Sequence, residues 1–496
     1  MAKYLMIQGT SSGCGKSLLT TALCRIAKKR GIKVCPFKAQ NMSLQSYITE
    51  EGAEIGIAQS IQAFAAGITP TLHINPILLK PEGEQGIQVI VHGRLYKTLS
   101  SEELIKEKPK LWEAVDYSIK HLSQRFDLII IEGSGSPAEI NLIDHDIANM
   151  KVAKHLNAPV ILVGDIDKGG VFASIYGTVK LLADYEYDCY IKGFIINKFR
   201  GKVDVLYSGI KKLENLLNKP CLGVIPYLTE PGIADEDGVS AFLKNENSFS
   251  VNKDVRIVVL RLRHISNFSD FYPLKFEPDV ELIFSLRYED ILTADIIIIP
   301  GTKKTVDDLI LLKELKLDKL LKEMAKRGNV EIVGICGGFQ MLGERLFDPY
   351  NVEGNHKEIE GLSLLPIETV FYPEKITSQV EGFLISNPSI KVSGYEIHKG
   401  ITFGEMNLFK IKRKHTEEWL TEGLINGNVW GTYLHGVFEN DSLRRWLINK
   451  HRIKKSLTPI DFTFSWNNLF DSHIKKLSEI IEANIDIERL WQIAGL

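Results

Sequence analysis

Gly9-Thr10-Ser11-Ser12-Gly13-Cys14-Gly15-Lys16-Ser17 stands between an apolar run at residues 4–8 and a segment where Leu18, Leu19, Ala22, Leu23, Ile26 and Ala27 recur at helical spacing. Gly31 closes that segment. A strand, a Gly-rich loop ending Gly-Lys-Ser and a helix together form the context of a phosphate-binding loop. The loop's N–H groups and the helix N-terminus face the anion. Gly9, Thr10, Ser11, Ser12, Gly13 and Gly15 are therefore read as nucleotide-binding. Lys16 would reach the β and γ oxygens of ATP, and Ser17 would ligate Mg²⁺. Thr10 stands where the common Gly-x4-Gly-Lys form has its first glycine. A Gly-rich turn with an exposed lysine is the plainer alternative.

Working outward, the second apolar segment, Ile32 to Phe37, runs into Lys38-Ala39-Gln40-Asn41-Met42. Strand ends carry the ligand in an open α/β sheet. Lys38, Gln40 and Asn41 are thus placed to face a substrate, unless the stretch is a solvated polar loop. Asp127-Leu128-Ile129-Ile130-Ile131 ends in Glu132, a candidate second Mg²⁺ ligand, direct or one shell removed. The loop that follows mixes carboxylates and amides. In it Glu139, Asn141, Asp146 and Asn149 are candidate substrate contacts, and Asp146 reads equally well as the N-cap of a helix over 147–156. Further strands at 158–164, 191–197 and 221–226, with helix-length spacers, predict a doubly wound parallel sheet.

Polar, aperiodic residues 242–254 read as a linker, and a second α/β series follows. Its strands are expected at 257–262, 281–285, 295–300 and just before Cys336. Gly334-Ile335-Cys336-Gly337-Gly338 lies between an apolar run and a helix-like segment, the layout of a nucleophile elbow or, more plainly, of a Gly-rich strand–helix turn with an incidental cysteine. Cys336 would sit at a helix N-terminus, where the dipole favours a thiolate. A general base is available about a hundred residues on, at His435. The N–H groups of Gly301, in Pro300-Gly301-Thr302, and Gly337 would form the oxyanion hole. Residues 441–453 and 474–494 look helical.

Composition narrows the class. The chain has 496 residues, 44% hydrophobic and 25% charged, with a formal net charge of −2. That is an ordinary globular balance with no electrostatic case for a nucleic-acid partner. No apolar run reaches a membrane span, and Met1 to Ile7 reads straight into a strand without a signal-peptide layout. Six cysteines without a Cys-x-x-Cys pair imply neither a disulfide framework nor a zinc site. The expectation is a reduced, cytoplasmic protein.

A thiol elbow with a histidine fits acyl transfer through a thioester. A phosphate loop fits phosphoryl transfer. One joint purpose is amide formation: glutamine releases ammonia at Cys336, ATP activates a carboxylate as an acyl phosphate, and ammonia displaces the phosphate. On these motifs the chain resembles the cobyric acid synthase family of glutamine-dependent amidotransferases. The resemblance also rests on residues 36–43, 75–81, 135–142, 164–173, 195–201, 264–268 and 394–398.

The resemblance implies an N-terminal P-loop domain like dethiobiotin synthetase over 1–241, an ATP-dependent amide synthetase. It implies a class I glutamine amidotransferase α/β domain over 255–453, with 454–496 as a helical extension. It adds Asn197 to the nucleotide site. It implies amidation of carboxylates b, d, e and g of adenosylcobyrinic acid a,c-diamide, a small-molecule corrinoid, to adenosylcobyric acid. Related amidotransferases carry a Glu two residues after the histidine; Val437 stands there, and the nearest Glu is Glu439. What orients His435 is left open. So are two other readings: a regulatory P-loop ATPase with an inert amidase-like domain, and the sister a,c-diamide synthase.

Overall fold

A computed structural model describes residues 2–82, 86–229, 232–233 and 253–496. As far as those spans are described, one unit comprises Met1–Thr49, Ala53–Gly238 and Leu469–Leu496. The other comprises Glu50–Gly52 and Val239–Asn468. Residues 242–252, most of the expected linker, lie outside the described residues.

In the first unit six parallel strands run in the order Cys221–Pro226, Ile191–Phe199, Val160–Asp165, Lys3–Gly9, Leu128–Glu132, Val34–Phe37. Every residue of Leu128–Glu132 is buried, as expected for a β-branched strand covered on both faces. The chain order reverses around Lys3–Gly9, which pairs with Val160–Asp165 on one side and Leu128–Glu132 on the other. The loop after Lys3–Gly9 therefore opens at the topological switch point, where such sheets bind ligands. Helix Lys16–Lys29 starts on that loop.

Two features were not legible in the sequence. Gln40–Met42 is a short strand and not a loop. It heads a second sheet with Ile77–Pro81, Ile87–Val91 and Arg94–Leu99. The apparent helix at 474–494 is two helices, Trp466–Asn484 and Ile487–Ala494. The break is set where Asp486 N–H donates to Leu222 O at 2.7 Å and the Asp486 side chain accepts from Arg489 N–H at 3.0 Å. From Leu469 onward these helices belong to the first unit. Ile474, Leu477, Ile481, Leu490 and Trp491 share one buried cluster with Leu5, Ile7, Leu19 and Leu23.

The second unit is built on the order Val280–Ser285, Val255–Leu260, Ile296–Ile299, Glu331–Ile335, Val429–Thr432, Leu424–Asn426. All pairs are parallel except the last. Cys336 leaves a central strand, with Gly301 leaving one neighbour and His435 the other. Three segments far apart in sequence thus meet at the carboxyl ends of adjacent strands. A long antiparallel hairpin, Glu368–Leu384 with Asn387–Phe403, brings Tyr395 into a bridge with His435.

Candidate active sites

Gly13 and Gly15 take φ of 70° and 97°, a left-handed backbone that glycine adopts freely. A Cβ on Gly15 would lie 2.1 Å from Asn197 Nδ2. That same amide donates to Cys14 O at 2.8 Å. Lys198 Nζ donates to Gly13 O and, at 3.0 Å, to Asp165 Oδ2. The ends of two neighbouring strands thus hold the loop's backbone in shape. Lys16 Nζ donates to Ser11 O at 3.0 Å and to Gly135 O at 3.1 Å, bridging the loop to the glycine turn after Glu132.

Glu132 is the centre of this site. Its Oε1 accepts from Ser17 Oγ at 2.8 Å and from Lys38 Nζ at 2.7 Å; its Oε2 accepts from Gln62 Nε2 at 2.5 Å. The carboxylate is 1% exposed. Burial works against its charge, but the Lys38 ammonium and the three hydrogen bonds outweigh it, and the pKa falls below the ordinary carboxylate value. Hydroxyl and carboxylate oxygens side by side are hard donors of the kind Mg²⁺ takes.

The other expected contacts are distributed differently. Asn41 is buried and donates to Gln59 Oε1 at 2.9 Å, and Gln40 accepts from Lys108. Asn149 clamps the turn after Glu132, donating to Ser134 O at 2.7 Å and accepting from Ser134 N–H at 2.9 Å. The Asp146 carboxylate accepts from the N–H groups of Ala148, Asn149 and Lys151, at 2.8 to 3.1 Å, and so ties down the first turn of helix Met150–Leu156, whose N-cap position is Asn149, three residues later than expected. Glu139 and Asn141 are exposed on their loop. Sequence reasoning passed over Gln62, which lies inside a helix, and Asp165 and Lys198, whose pairing depends on strand order. It also passed over Lys108, which burial brings down to about 8.

In the second unit Cys336 has φ 50° and ψ −108°, strained for a residue with a side chain. The strain is fixed from both sides. Cys336 N–H donates to Thr432 O at 2.8 Å, and a Cβ on Gly338 would lie 1.9 Å from Ile299 O. Cys336 is 8% exposed and His435 1%. Cys336 is one polar neighbour of His435. At Nδ1 the near neighbour is Asp270, whose Oδ2 lies 2.7 Å away and whose Oδ1 accepts from Gly436 N–H at 3.0 Å, with Asn267 Nδ2 farther off at 3.5 Å. Burial disfavours charge on His435, but Asp270 and the Cys336 sulfur hold its pKa well above the usual imidazole value. Asp270 was missed; the only signal is a carboxylate five residues after the His264-Ile265 segment.

Gly301 and Gly337 converge on the same place. A Cβ on Gly301 would meet His435 Cε1 at 3.0 Å, and one on Gly337 would lie 3.3 Å from Thr302 N. The 301–302 turn is held by Ser266 N–H, which donates to Gly301 O at 2.9 Å, and by Thr302 Oγ1, which donates to Asp308. Beneath the site, Glu422 accepts from Thr432 Oγ1 and Tyr433 N–H, both at 2.6 Å. Burial first, then the charge of Glu396, pushes its pKa up to about 8. Burial opposes ionisation of Glu396 too, yet His398 and a bidentate Arg413 bring it down to about 2.

Residues 5–241 match the CobQ/CobB/MinD/ParA nucleotide binding domain, and residues 256–443 match the CobB/CobQ-like glutamine amidotransferase domain. The chain is 67% identical to the cobyric acid synthase of Thermodesulfovibrio yellowstonii over the full length of both. The chain belongs to the cobyric acid synthase family. Cobyric acid synthases of Caldanaerobacter subterraneus subsp. tengcongensis and Clostridium botulinum are 46% and 45% identical, each over 99% or more of both chains. As a cobyric acid synthase family member the chain is an enzyme of the amidotransferase class, with a P-loop nucleotide-binding domain and a glutamine amidotransferase domain. No helix among the described residues is long and apolar enough to cross a membrane.

Proposed function

We propose that this chain amidates carboxylates b, d, e and g of adenosylcobyrinic acid a,c-diamide, using ATP and glutamine, to give adenosylcobyric acid. The observation that carries the substrate assignment is the end-to-end 67% identity to a named cobyric acid synthase. The chemistry is supported by the two sites separately.

In the glutaminase half, His435 takes the proton from Cys336 Sγ, and the thiolate attacks the carboxamide carbon of glutamine. The N–H groups of Gly301 and Gly337 hold the developing oxyanion. The imidazolium returns its proton to the leaving ammonia. Water, deprotonated by His435, then hydrolyses the thioester to glutamate and restores the thiol.

In the synthetase half, Lys16 and the N–H groups of residues 9–15 neutralise the phosphate charge, and Asn197 keeps the loop fitted to the nucleotide. The substrate carboxylate takes the γ-phosphoryl group of ATP with release of ADP, and ammonia then displaces phosphate to leave the amide. Ser17 would ligate Mg²⁺ directly, and the metal would supply neutralisation of the phosphate charge. Glu132, already engaged by Lys38 and Gln62, orients Ser17 from behind. Gln40, Glu139 and Asn141 face the corrinoid, and Lys38 and Asn41, buried and bonded to Glu132 and Gln59, support that face from behind. Asn149 supports the turn that borders it, and the capping contacts of Asp146 favour a structural role over a substrate contact. The domain limits of 1–241 and 255–453 and a cytoplasmic location belong to the same reading.

The test is the product mass after incubation with ATP, glutamine and the a,c-diamide. Four added amides are expected. ATP turnover without amide formation indicates a regulatory ATPase, and no amide added to the a,c-diamide but two added when the unamidated corrinoid replaces it indicates the sister synthase.

A further inference from the structure

We propose that Asp270 is the third member of the glutaminase constellation, a positioning residue that fixes the tautomer and orientation of His435. This rests on the glutaminase reading of Cys336 and His435. The position from which related amidotransferases supply a carboxylate holds Val437, which is fully buried and apolar. Glu439 is exposed, and the short contact that the imidazole makes at Nδ1 is with Asp270 at 2.7 Å, the Asn267 amide lying farther off at 3.5 Å.

Asp270 reaches the ring from the turn Phe268–Phe271, 165 residues earlier in the chain. Its two oxygens do separate jobs. One accepts from Nδ1–H at 2.7 Å, and the other accepts from the N–H of Gly436, the residue after the histidine. Ring and backbone are thus fixed by one carboxylate. Asp270 is 3% exposed, so water does not compete for either contact. The ring has little freedom to turn away. Tyr395 stacks on it at 5.4 Å between centroids and 19° between planes, and the backbone bridge from Tyr395 N–H to His435 O and from His435 N–H to Tyr395 O pins its Cα. Gly301 closes the Cε1 side.

With the Nδ1 proton held by Asp270, His435 turns Nε2 to Cys336, and this nitrogen takes the thiol proton to give the imidazolium that the raised pKa favours. An ionised Asp270 also stabilises the imidazolium formed in that step. An amide at position 270 reverses this. Its oxygen can keep the Gly436 bond, but its NH₂ then faces Nδ1, which becomes the acceptor. The ring proton moves to Nε2, where it cannot accept from sulfur. The loss from such a tautomer reversal in a Ser-His-Asp triad is about 10⁴ in turnover.

The experiment compares Cys336→Ala, Asp270→Asn, Asp270→Glu and Glu439→Gln in the full chain, with glutamine and with ammonium as nitrogen source. Asp270→Asn is expected to lower glutamine-dependent kcat at least 10²-fold, with KM for glutamine nearly unchanged and ammonia-dependent amidation at the parent rate. Asp270→Glu, which restores a carboxylate, is expected to retain more glutamine-dependent activity than Asp270→Asn, and Glu439→Gln is expected to match the parent. Asp270→Asn within threefold of the parent, a parallel fall with both nitrogen sources, or Asp270→Glu no better than Asp270→Asn each overturns the proposal. Cys336→Ala separates the two levels: if it keeps glutamine-dependent amidation, the glutaminase reading itself fails.

Discussion

Glu422→Gln tests whether a buried, neutral carboxyl underlies the histidine that the glutaminase site depends on. Glu422, at the end of strand Trp419–Glu422, is 6% exposed and hydrogen-bonded by Thr432 and Tyr433, which lie just ahead of His435. Its pKa is about 8 in the folded chain, against about 4.3 for an ordinary Glu. The sign follows from linkage. A carboxyl whose folded pKa is raised contributes fully below its unfolded pKa, and its contribution is lost as pH rises toward the folded value. Between pH 5.5 and pH 8 that loss is about 3 kcal/mol, at about 1.4 kcal/mol per unit. Gln does not titrate, so the difference between parent and variant isolates this group from every other ionisation. Urea unfolding of the full chain can be followed by tryptophan fluorescence, because four of the six tryptophans (419, 430, 446, 466) lie in the second unit. Relative to Glu422→Gln, the parent's midpoint is expected to drop by about 1 M urea between the two pH values, for a slope of a few kcal/mol per molar. A parent–variant difference that is the same at both pH values refutes the reasoning, since it means that Glu422 is ionised in the fold.

Other outcomes follow from the same geometry. Cys336→Ala is expected to abolish glutamine-driven amidation and leave ammonia-driven amidation intact, measured by product mass with each nitrogen source. Lys16→Ala is expected to lower amidation by about 10²–10³ with either source; near-normal ammonia-dependent turnover would contradict its phosphate role. Glu396, held near 2 by His398 and Arg413 against burial, contributes stability that is present above pH 4.5 and lost as pH falls toward 2. Glu396→Gln is therefore expected to flatten acid unfolding over that window, by about 3 kcal/mol, and an unchanged acid limb would remove Glu396 from the account. Asp146→Ala is expected to lower the melting temperature, by a cap's worth of about 1 kcal/mol, while the profile of partly amidated products stays that of the parent.

What the sequence determined by itself was local. The phosphate loop between strand and helix, the cysteine elbow and the β-branched strands are written in consecutive residues, because a left-handed glycine or a buried parallel strand constrains its immediate neighbours. The family could be read for the same reason, from short stretches such as 135–142 and 394–398. Tertiary structure decided the pairings. Ser17, Lys38 and Gln62 meet on Glu132 because their elements border one strand end, and nothing in the spacing of a Gln inside helix Ile57–Ala66 marks it as a partner. The C-terminal helices, read as a separate extension, fill the apolar face beside Lys3–Gly9 because an amphipathic helix does not specify which face covers it. Cys336 and His435 are brought together by the pairing of Glu331–Ile335 with Val429–Thr432. Asp270 is the clearest case: a hydrogen bond reaches about 3 Å in space and is indifferent to the 165 residues between Asp270 and His435, so only the folded chain shows which carboxylate faces the ring.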